Sequence, residues 1–298
     1  MAGKFKPLKI SGEVSLSLED ILGKCIAILG IRGSGKTNTA AVLVEELLDQ
    51  RVPVAIVDID GEYWGLKEKY EILSVGRGNN VDIEVGVEHA PVIAEICLNK
   101  GLPIILDMSN FLSGEMYRFL LGYTKKLWDL SGKIRRPYFL VLEEAHEFVP
   151  QGIRTDVKEY FSKIALRGRK RGLGLIMVSQ RSAKVEKDVL TQAEVLFLHK
   201  VVHPADLRVY KELIPLPPKE IEELVPSLRV GECIFYFRGL AKKIYIRSRK
   251  TYHAGYTPVL LKMFTPKLKS VSKEIIKLLK EVTCLLYTSP SPRDLSTS

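Results

Sequence analysis

GIRGSGKT, Gly30 to Thr37, follows the apolar run Cys25-Ile26-Ala27-Ile28-Leu29 and precedes apolar residues at helical spacing, from Ala40 and Ala41 through Leu43, Val44, Leu47 and Leu48. Strand, glycine-rich turn and helix opening on Lys-Thr is the context that the phosphate-cradling pattern G-x-x-x-x-G-K-[ST] requires. Gly30, Gly33 and Gly35 let the backbone curl so that successive N–H groups face a phosphate, and the helix N-terminus adds its dipole. Lys36 would reach the β- and γ-phosphates, and the Thr37 hydroxyl would bind Mg²⁺. The stretch predicts a site for ATP or GTP. The nucleotide-binding set is Gly30, Gly33, Ser34, Gly35, Lys36, Thr37 and Asn38.

The chain has 298 residues, enough to bury a full α/β core. It is 46% hydrophobic and 27% charged, a soluble globular composition. Its longest apolar runs are strand-length, too short for a membrane-spanning helix, and MAGKFKPLKI lacks the apolar stretch of a secretory leader. A cytoplasmic location is expected, with no membrane partner. Cys25, Cys97 and Cys233 are dispersed in apolar runs without metal-type spacing and read as buried thiols. The formal net charge of +10 suits a nucleic-acid partner, although a merely solvated basic surface gives the same figure. The final stretch, Cys284 to Asp294, reads like a translated sequencing-library adapter. Residues 284–298 are therefore expected to be an artefactual tail.

Apolar strands alternate with helical patterns along the chain, which predicts a mainly parallel central sheet covered by helices. Val54–Val57 runs into Asp58-Ile59-Asp60-Gly61-Glu62-Tyr63, Pro103–Leu106 ends on Asp107, and Tyr138–Leu142 runs into Glu143 and Glu144. Leu173–Val178 ends at Ser179-Gln180-Arg181, and Val195–Leu198 completes the core. Ser113 is expected to cap a long helix, as is Thr155 or Asp156 a later one that ends in the cationic string Arg167 to Arg171. Beyond Leu213, Pro215, Pro217 and Pro218 break the chain. Gly231–Phe237 and Ala241–Ile246 read as an antiparallel hairpin around Arg238-Gly239-Leu240. The expected organisation is a lead-in over 1–23, a P-loop domain over 24–260 with a hairpin appendage near 229–250, and an amphipathic helix over 261–283.

Carboxylates at strand ends fall on the sheet edge where ligands of open α/β sheets collect. Nucleotide hydrolysis needs one acid for the Mg²⁺ shell and one to orient the attacking water; Glu143 suits the first job and Glu144 the second. An amide such as Gln180, at a strand end, can report whether a γ-phosphate is present, or it can be an ordinary surface residue. Arg169 can act in catalysis or simply answer a helix dipole. Lys242, Lys243, Arg247, Arg249 and Lys250 can meet DNA phosphates or solvate the hairpin.

GIRGSGKT, DIDGEY (58–63), LEEAHEF (142–148), GRKRGLG (168–174) and SQRSA (179–183) occur in the order seen in HerA/FtsK-type ATPases. The chain resembles the HerA central domain over roughly residues 20–260. His203 to Asp206 and the segment from Arg247 to Pro258 are similar to that family as well. The resemblance implies a RecA-like P-loop fold and an ATPase motor assembled as a ring, usually a hexamer, on double-stranded DNA, with a possible nuclease partner. It further implies ATP and Mg²⁺ at Lys36 and Thr37, Glu144 as the catalytic glutamate, Gln180 as γ-phosphate sensor and Arg169 completing an active site. The family's β-barrel ahead of the ATPase has no counterpart in the 20 or so residues before the first core strand. The other expectation is therefore a nucleotide-driven switch that acts on a protein partner and never tracks DNA.

Overall fold

In the computed structural model, residues 6–252 and Lys277 are described. Apart from Lys277, the helix expected over 261–283 and the tail expected over 284–298 lie outside the described residues. A short antiparallel ribbon, β1 (Leu8–Lys9) with β2 (Ser15–Leu16), comes first, so the alternation at Val14, Leu16 and Leu18 marks a separate ladder and not an edge of the main sheet. Leu18 opens the one-turn helix α1 (Leu18–Ile21), where Ser17 and Asp20 form a reciprocal capping box.

The main sheet then builds through β3 (Cys25–Leu29), α2 (Lys36–Asp49), β4 (Val54–Asp58), β5 (Leu73–Gly76), β6 (Ile83–Glu84), α3 (Ala90–Lys100) and β7 (Ile104–Asp107). Next come α4 (Ser113–Ile134), β8 (Tyr138–Leu142), the one-turn α5 (Ala145–Phe148), α6 (Asp156–Arg167), β9 (Leu173–Ser179), the one-turn α7 (Lys187–Leu190) and β10 (Val195–His199). The chain closes with α8 (Pro204–Leu213), α9 (Pro218–Ser227), β11 (Glu232–Phe237) and β12 (Leu240–Tyr245). Thr155 caps α6 by accepting the Lys158 N–H, as expected. At α4 the cap is Leu112, not Ser113, and Glu115 accepts the Leu112 N–H in place of a hydroxyl. The proline-rich stretch after Leu213 does more than interrupt the chain. Pro218 takes the first position of α9, where its missing N–H costs nothing.

Ten strands join in the order β12-β11-β10-β3-β9-β8-β4-β7-β5-β6. Every neighbouring pair from β10 to β6 is parallel, and β11 and β12 add antiparallel to the β10 edge. The hairpin thus continues the sheet. Its two-residue turn, Arg238-Gly239, has both φ angles positive, the geometry that matches strand twist. The core strands are buried end to end because both faces are covered. Along β3, Cys25, Ala27 and Leu29 face one core while Ile26 and Ile28 face the other. The first core takes residues from α3, α4, α6, α8 and α9, and the second from α2 and the N-terminal ribbon.

Register fixes what emerges together at one edge. Leu29 pairs with Ser179, Leu142 with Met177 and Val57 with Leu142. The segments that follow β3, β9, β8 and β4 therefore leave the sheet side by side, in that spatial order.

Candidate active site

A pocket of about 590 Å³ opens at that edge. Gly33, Lys36 and Thr37 line it from the turn after β3, Gln180 from the end of β9 and Glu144 from the end of β8. The five come from three separate motifs, the furthest apart by more than 140 positions in sequence.

The turn is held in shape by its own side chains. Ser34 Oγ and Lys36 Nζ both donate to the Ile31 carbonyl, at 2.7 and 2.9 Å. A Cβ on Gly30 would sit 2.6 Å from His199 Cβ, and one on Gly35 would meet the Gly231 nitrogen at 2.9 Å. Both positions therefore need glycine for close approach as well as for their positive φ angles, +156° and +106°. His199 is fully buried at the end of β10. Its Nδ1 donates to the Glu232 carbonyl at 2.9 Å, which leaves Nε2 to accept the Thr39 hydroxyl at 2.9 Å. Burial drives its pKa down to about 4, so it is a neutral brace between α2 and the hairpin.

Lys36 is buried, and loss of solvent lowers its pKa; Glu143, Glu144 and Glu62 act against that shift, Glu143 most strongly. Glu143 itself stands behind the pocket and does not line it. Its Oε1 accepts the Tyr63 phenol, and burial raises its pKa to about 8. Glu144 occupies left-handed backbone, φ 46° and ψ 48°, a conformation that costs a non-glycine residue about 1–3 kcal/mol. That bend starts α5 and leaves the Glu144 side chain in the pocket. Burial works to raise the Glu144 pKa, but His146, Lys36 and the Gln180 N–H outweigh it and hold the carboxyl below its ordinary range.

The acidic loop after β4 has an internal organiser. Asp58 is buried, and its two oxygens accept the N–H groups of Gly61, Glu62 and Tyr63 at 2.9, 3.1 and 2.9 Å. With the loop wrapped on that carboxylate, Asp60 and Glu62 line the pocket. The turn that carries Gln180 is tied down similarly. Asp206 of the His-Pro-Ala-Asp stretch accepts the Ser182 hydroxyl at 2.7 Å and the Ala183 N–H at 2.8 Å.

Two expected residues and the expected basic group lie elsewhere. The Asn38 side chain donates to the Arg247 carbonyl at 2.9 Å and accepts the Arg249 N–H at 3.0 Å. With both ends of its amide committed, its side chain is structural and not a nucleotide contact. Arg169 is exposed and packs against Gly23, which leads into the start of β3. The seven residues of β9 separate it from the pocket edge by roughly 20 Å at about 3.3 Å per residue. It does not reach the pocket of its own chain. The basic group on and after the hairpin is not a free cationic surface either. Lys242 pairs with Glu13, Lys243 with Glu232, Arg247 with Glu45 and Glu46, and Lys250 with Glu46 and Asp49. Residues 247–251 form a strap across α2, where buried Glu45 accepts the Lys250 N–H, the Thr251 N–H and the Thr251 hydroxyl at 2.7–2.9 Å.

A strained glycine turn holding Lys36 and Thr37 opposite a carboxylate and an amide, at the ends of neighbouring parallel strands, defines a P-loop NTPase. Residues 7–126 match the family model described as the central domain of helicase HerA. A Methanocaldococcus jannaschii protein named "probable helicase" is 35% identical over 315 residues, covering 74% of this chain and 61% of that protein. The DNA double-strand break repair helicase HerA of Saccharolobus solfataricus is 35% identical over 145 residues, 46% of this chain and 29% of that one. Over these stretches the chain is similar to the HerA-type P-loop ATPases. It spans less than two thirds of the length of these relatives. Among solved structures, VirB4 of Thermoanaerobacter pseudethanolicus superposes with a TM-score of 0.59 at 16% identity, covering 84% of this chain and 98% of that one. The genome packaging NTPase B204 of Sulfolobus turreted icosahedral virus 2, in complex with ATP-γS, gives 0.51 at 16%, covering 76% and 97%. At such identities the likeness concerns the fold. Among the described residues no helix is long and apolar enough to cross a membrane.

Proposed function

We propose that the chain is the motor domain of a ring-forming ATPase, of six copies, that moves along double-stranded DNA. The observation that carries the ATPase chemistry is the convergence of Lys36 and Glu144 on one pocket with Gln180 beside them. Lys36 exchanges its bond to the Ile31 carbonyl for the β- and γ-phosphates, and the glycine turn supplies N–H donors to the same oxygens. Glu144, kept ionised, accepts a hydrogen bond from the attacking water and aims it at the γ-phosphorus. Gln180 contacts the γ-phosphate and registers its departure.

Among the described residues no cluster of three or more His, Cys, Asp or Glu could hold a metal by itself. The donor set suits a hard cation only together with phosphate oxygens: Thr37 Oγ1 at the pocket wall, with Glu143 behind it. When bound, Mg²⁺ would neutralise charge on the phosphates there. Arg169, remote from its own pocket, completes that of a neighbouring copy, where a cation stabilises charge that grows during phosphoryl transfer. The net charge of +10 and the helicase relatives support DNA as the track. A nuclease partner is a further expectation of the same reading.

Internal pairing of the basic group around the hairpin favours a second reading, a nucleotide-driven switch acting on a protein partner. Steady-state ATP turnover with and without duplex DNA separates the two. The motor requires stimulation by duplex and DNA binding that weakens steeply with salt; turnover indifferent to duplex selects the switch. Turnover retained by Glu144→Gln would end the assignment of Glu144 as the water-orienting acid under either reading.

A further inference from the structure

Glu144 Oε2 is buried and has no hydrogen-bond partner of good geometry, an expensive state for a carboxylate oxygen. The polar atom placed to relieve it is His146 Nδ1, 3.2 Å away and two residues further along the same turn. That nitrogen also lies 3.2 Å from Ser179 Oγ, at the end of β9. Ser179 Oγ accepts the Arg181 N–H at 3.1 Å, so the same hydroxyl belongs to the turn that presents Gln180. On the other side of the ring, Nε2 is 3.3 Å from Glu147 Oε1 at the pocket rim. The imidazole is itself buried, wedged between the rim carboxylate and the two inner oxygens.

We infer that His146 is a positioning residue: its Nδ1–H holds the Glu144 carboxylate at the angle needed to aim water, and ties that carboxylate to the Ser179-Gln180-Arg181 turn. The orphaned oxygen dictates the tautomer. A proton on Nδ1, hydrogen-bonded to Ser179 Oγ, also sets positive charge 3.2 Å from Glu144 Oε2, whereas a bare Nδ1 would set a lone pair against it. The tie to Ser179 means that Glu144 and the Gln180 turn do not reorient independently. Loss of the γ-phosphate contact at Gln180 is thereby felt at the acid one strand away. His146 also lines the pocket, but the tie runs through Glu144 and Ser179, so its removal is expected to act on turnover more than on affinity.

The inference rests on Glu144 being the water-orienting acid, and the test separates the two. His146→Asn keeps an N–H donor near the position of Nδ1, while His146→Gln keeps one near Nε2; both remain polar and of similar bulk. Steady-state ATP hydrolysis by the full chain gives kcat, and titration with a fluorescent ATP analogue gives Kd. The Asn variant is expected within about threefold of the parent in kcat, and the Gln variant roughly 10- to 100-fold below it, with Kd for both within about threefold. Equal kcat in the two variants, an Asn variant below the Gln variant, or a loss confined to Kd would overturn the inference. Glu144→Gln is measured in parallel. If it is inactive while His146→Gln turns over like the parent, only the role of His146 falls; if Glu144→Gln itself turns over, the reading of Glu144 falls first.

Discussion

Oδ2 of Asp58 accepts the backbone N–H of Tyr63 at 2.9 Å, and the phenol of the same tyrosine donates to Glu143. A single residue thus links the carboxylate that folds the acidic loop to the one that stands behind Lys36. All three groups are buried or half-buried, and the strand ends they occupy belong to adjacent strands.

This linkage makes the ligand-free protein sensitive to pH in a defined direction. Burial raises Asp58 to about 7 and Glu143 to about 8, from ordinary values of 3.8 and 4.5. An acid whose pKa is higher folded than unfolded holds its proton more tightly in the native state. Its penalty is absent below about pH 4, grows as pH rises toward the folded pKa, and is complete above it. The unfolding midpoint is therefore expected to fall between about pH 5 and pH 8.5. Glu143→Gln, which keeps an acceptor for Tyr63, should flatten the dependence and raise the midpoint at the alkaline end. Calorimetry across that range checks it, and a variant that loses midpoint equally at both ends contradicts it.

Lys36 is held in the turn by its bond to the Ile31 carbonyl and is desolvated there. Lys36→Met should weaken binding of an ATP analogue by about 100-fold or more, the scale of one or two charge-assisted hydrogen bonds. The ligand-free unfolding midpoint should not drop, because a buried ammonium is being removed. Affinity close to that of the parent would remove Lys36 from the phosphate site.

Glu45 lies wholly inside, yet it accepts from two N–H groups, one hydroxyl and the Arg247 guanidinium. Glu45→Ala strands those donors and is expected to cost about 3–5 kcal/mol, with Glu45→Gln losing less. Denaturant unfolding measures the cost. Limited trypsin digestion supplies a local readout, since cleavage after Arg247, Arg249 and Lys250 should accelerate in the Ala variant.

The distance between Arg169 and its own pocket predicts that Arg169→Ala binds ATP within about threefold of the parent, since a group that acts on charge developing in the transition state adds little to ground-state affinity. Mixing Arg169→Ala with Glu144→Gln subunits should restore turnover that neither shows alone, because some interfaces then hold both functional groups. No recovery on mixing counts against action between copies.

Much of this arrangement is legible in the linear pattern, because strands buried on both faces must be continuous apolar runs and the polar residue that ends each run must sit at the edge. Glu144 and Gln180 fall at that edge by this rule, whereas Lys36 and Thr37 are read from the G-x-x-x-x-G-K-[ST] spacing after β3. Tyr63 does not: nothing local distinguishes a phenol that bonds a carboxylate 80 positions later from one that packs in a core. Asn38 reads as a nucleotide contact by adjacency to Thr37, yet helical spacing turns it toward residues more than 200 positions away. The cations from Lys242 to Lys250 look free because their partners, Glu13, Glu45, Glu46, Asp49 and Glu232, are mostly remote in sequence. Helix α9 hides behind its prolines, which punctuate a loop and a helix start with equal force.

The strap across α2 has a mechanical consequence. Asn38 is the next residue after Thr37, and it grips the backbone of Arg247 and Arg249, while Glu45 grips Lys250 and Thr251 two turns further down the same helix. Tension applied at Tyr252 would pull on the helix that begins at the glycine turn, without first crossing the sheet. The strap is a tendon inserted beside that turn, so load on residues 247–251 and movement of the first turn of α2 share one lever.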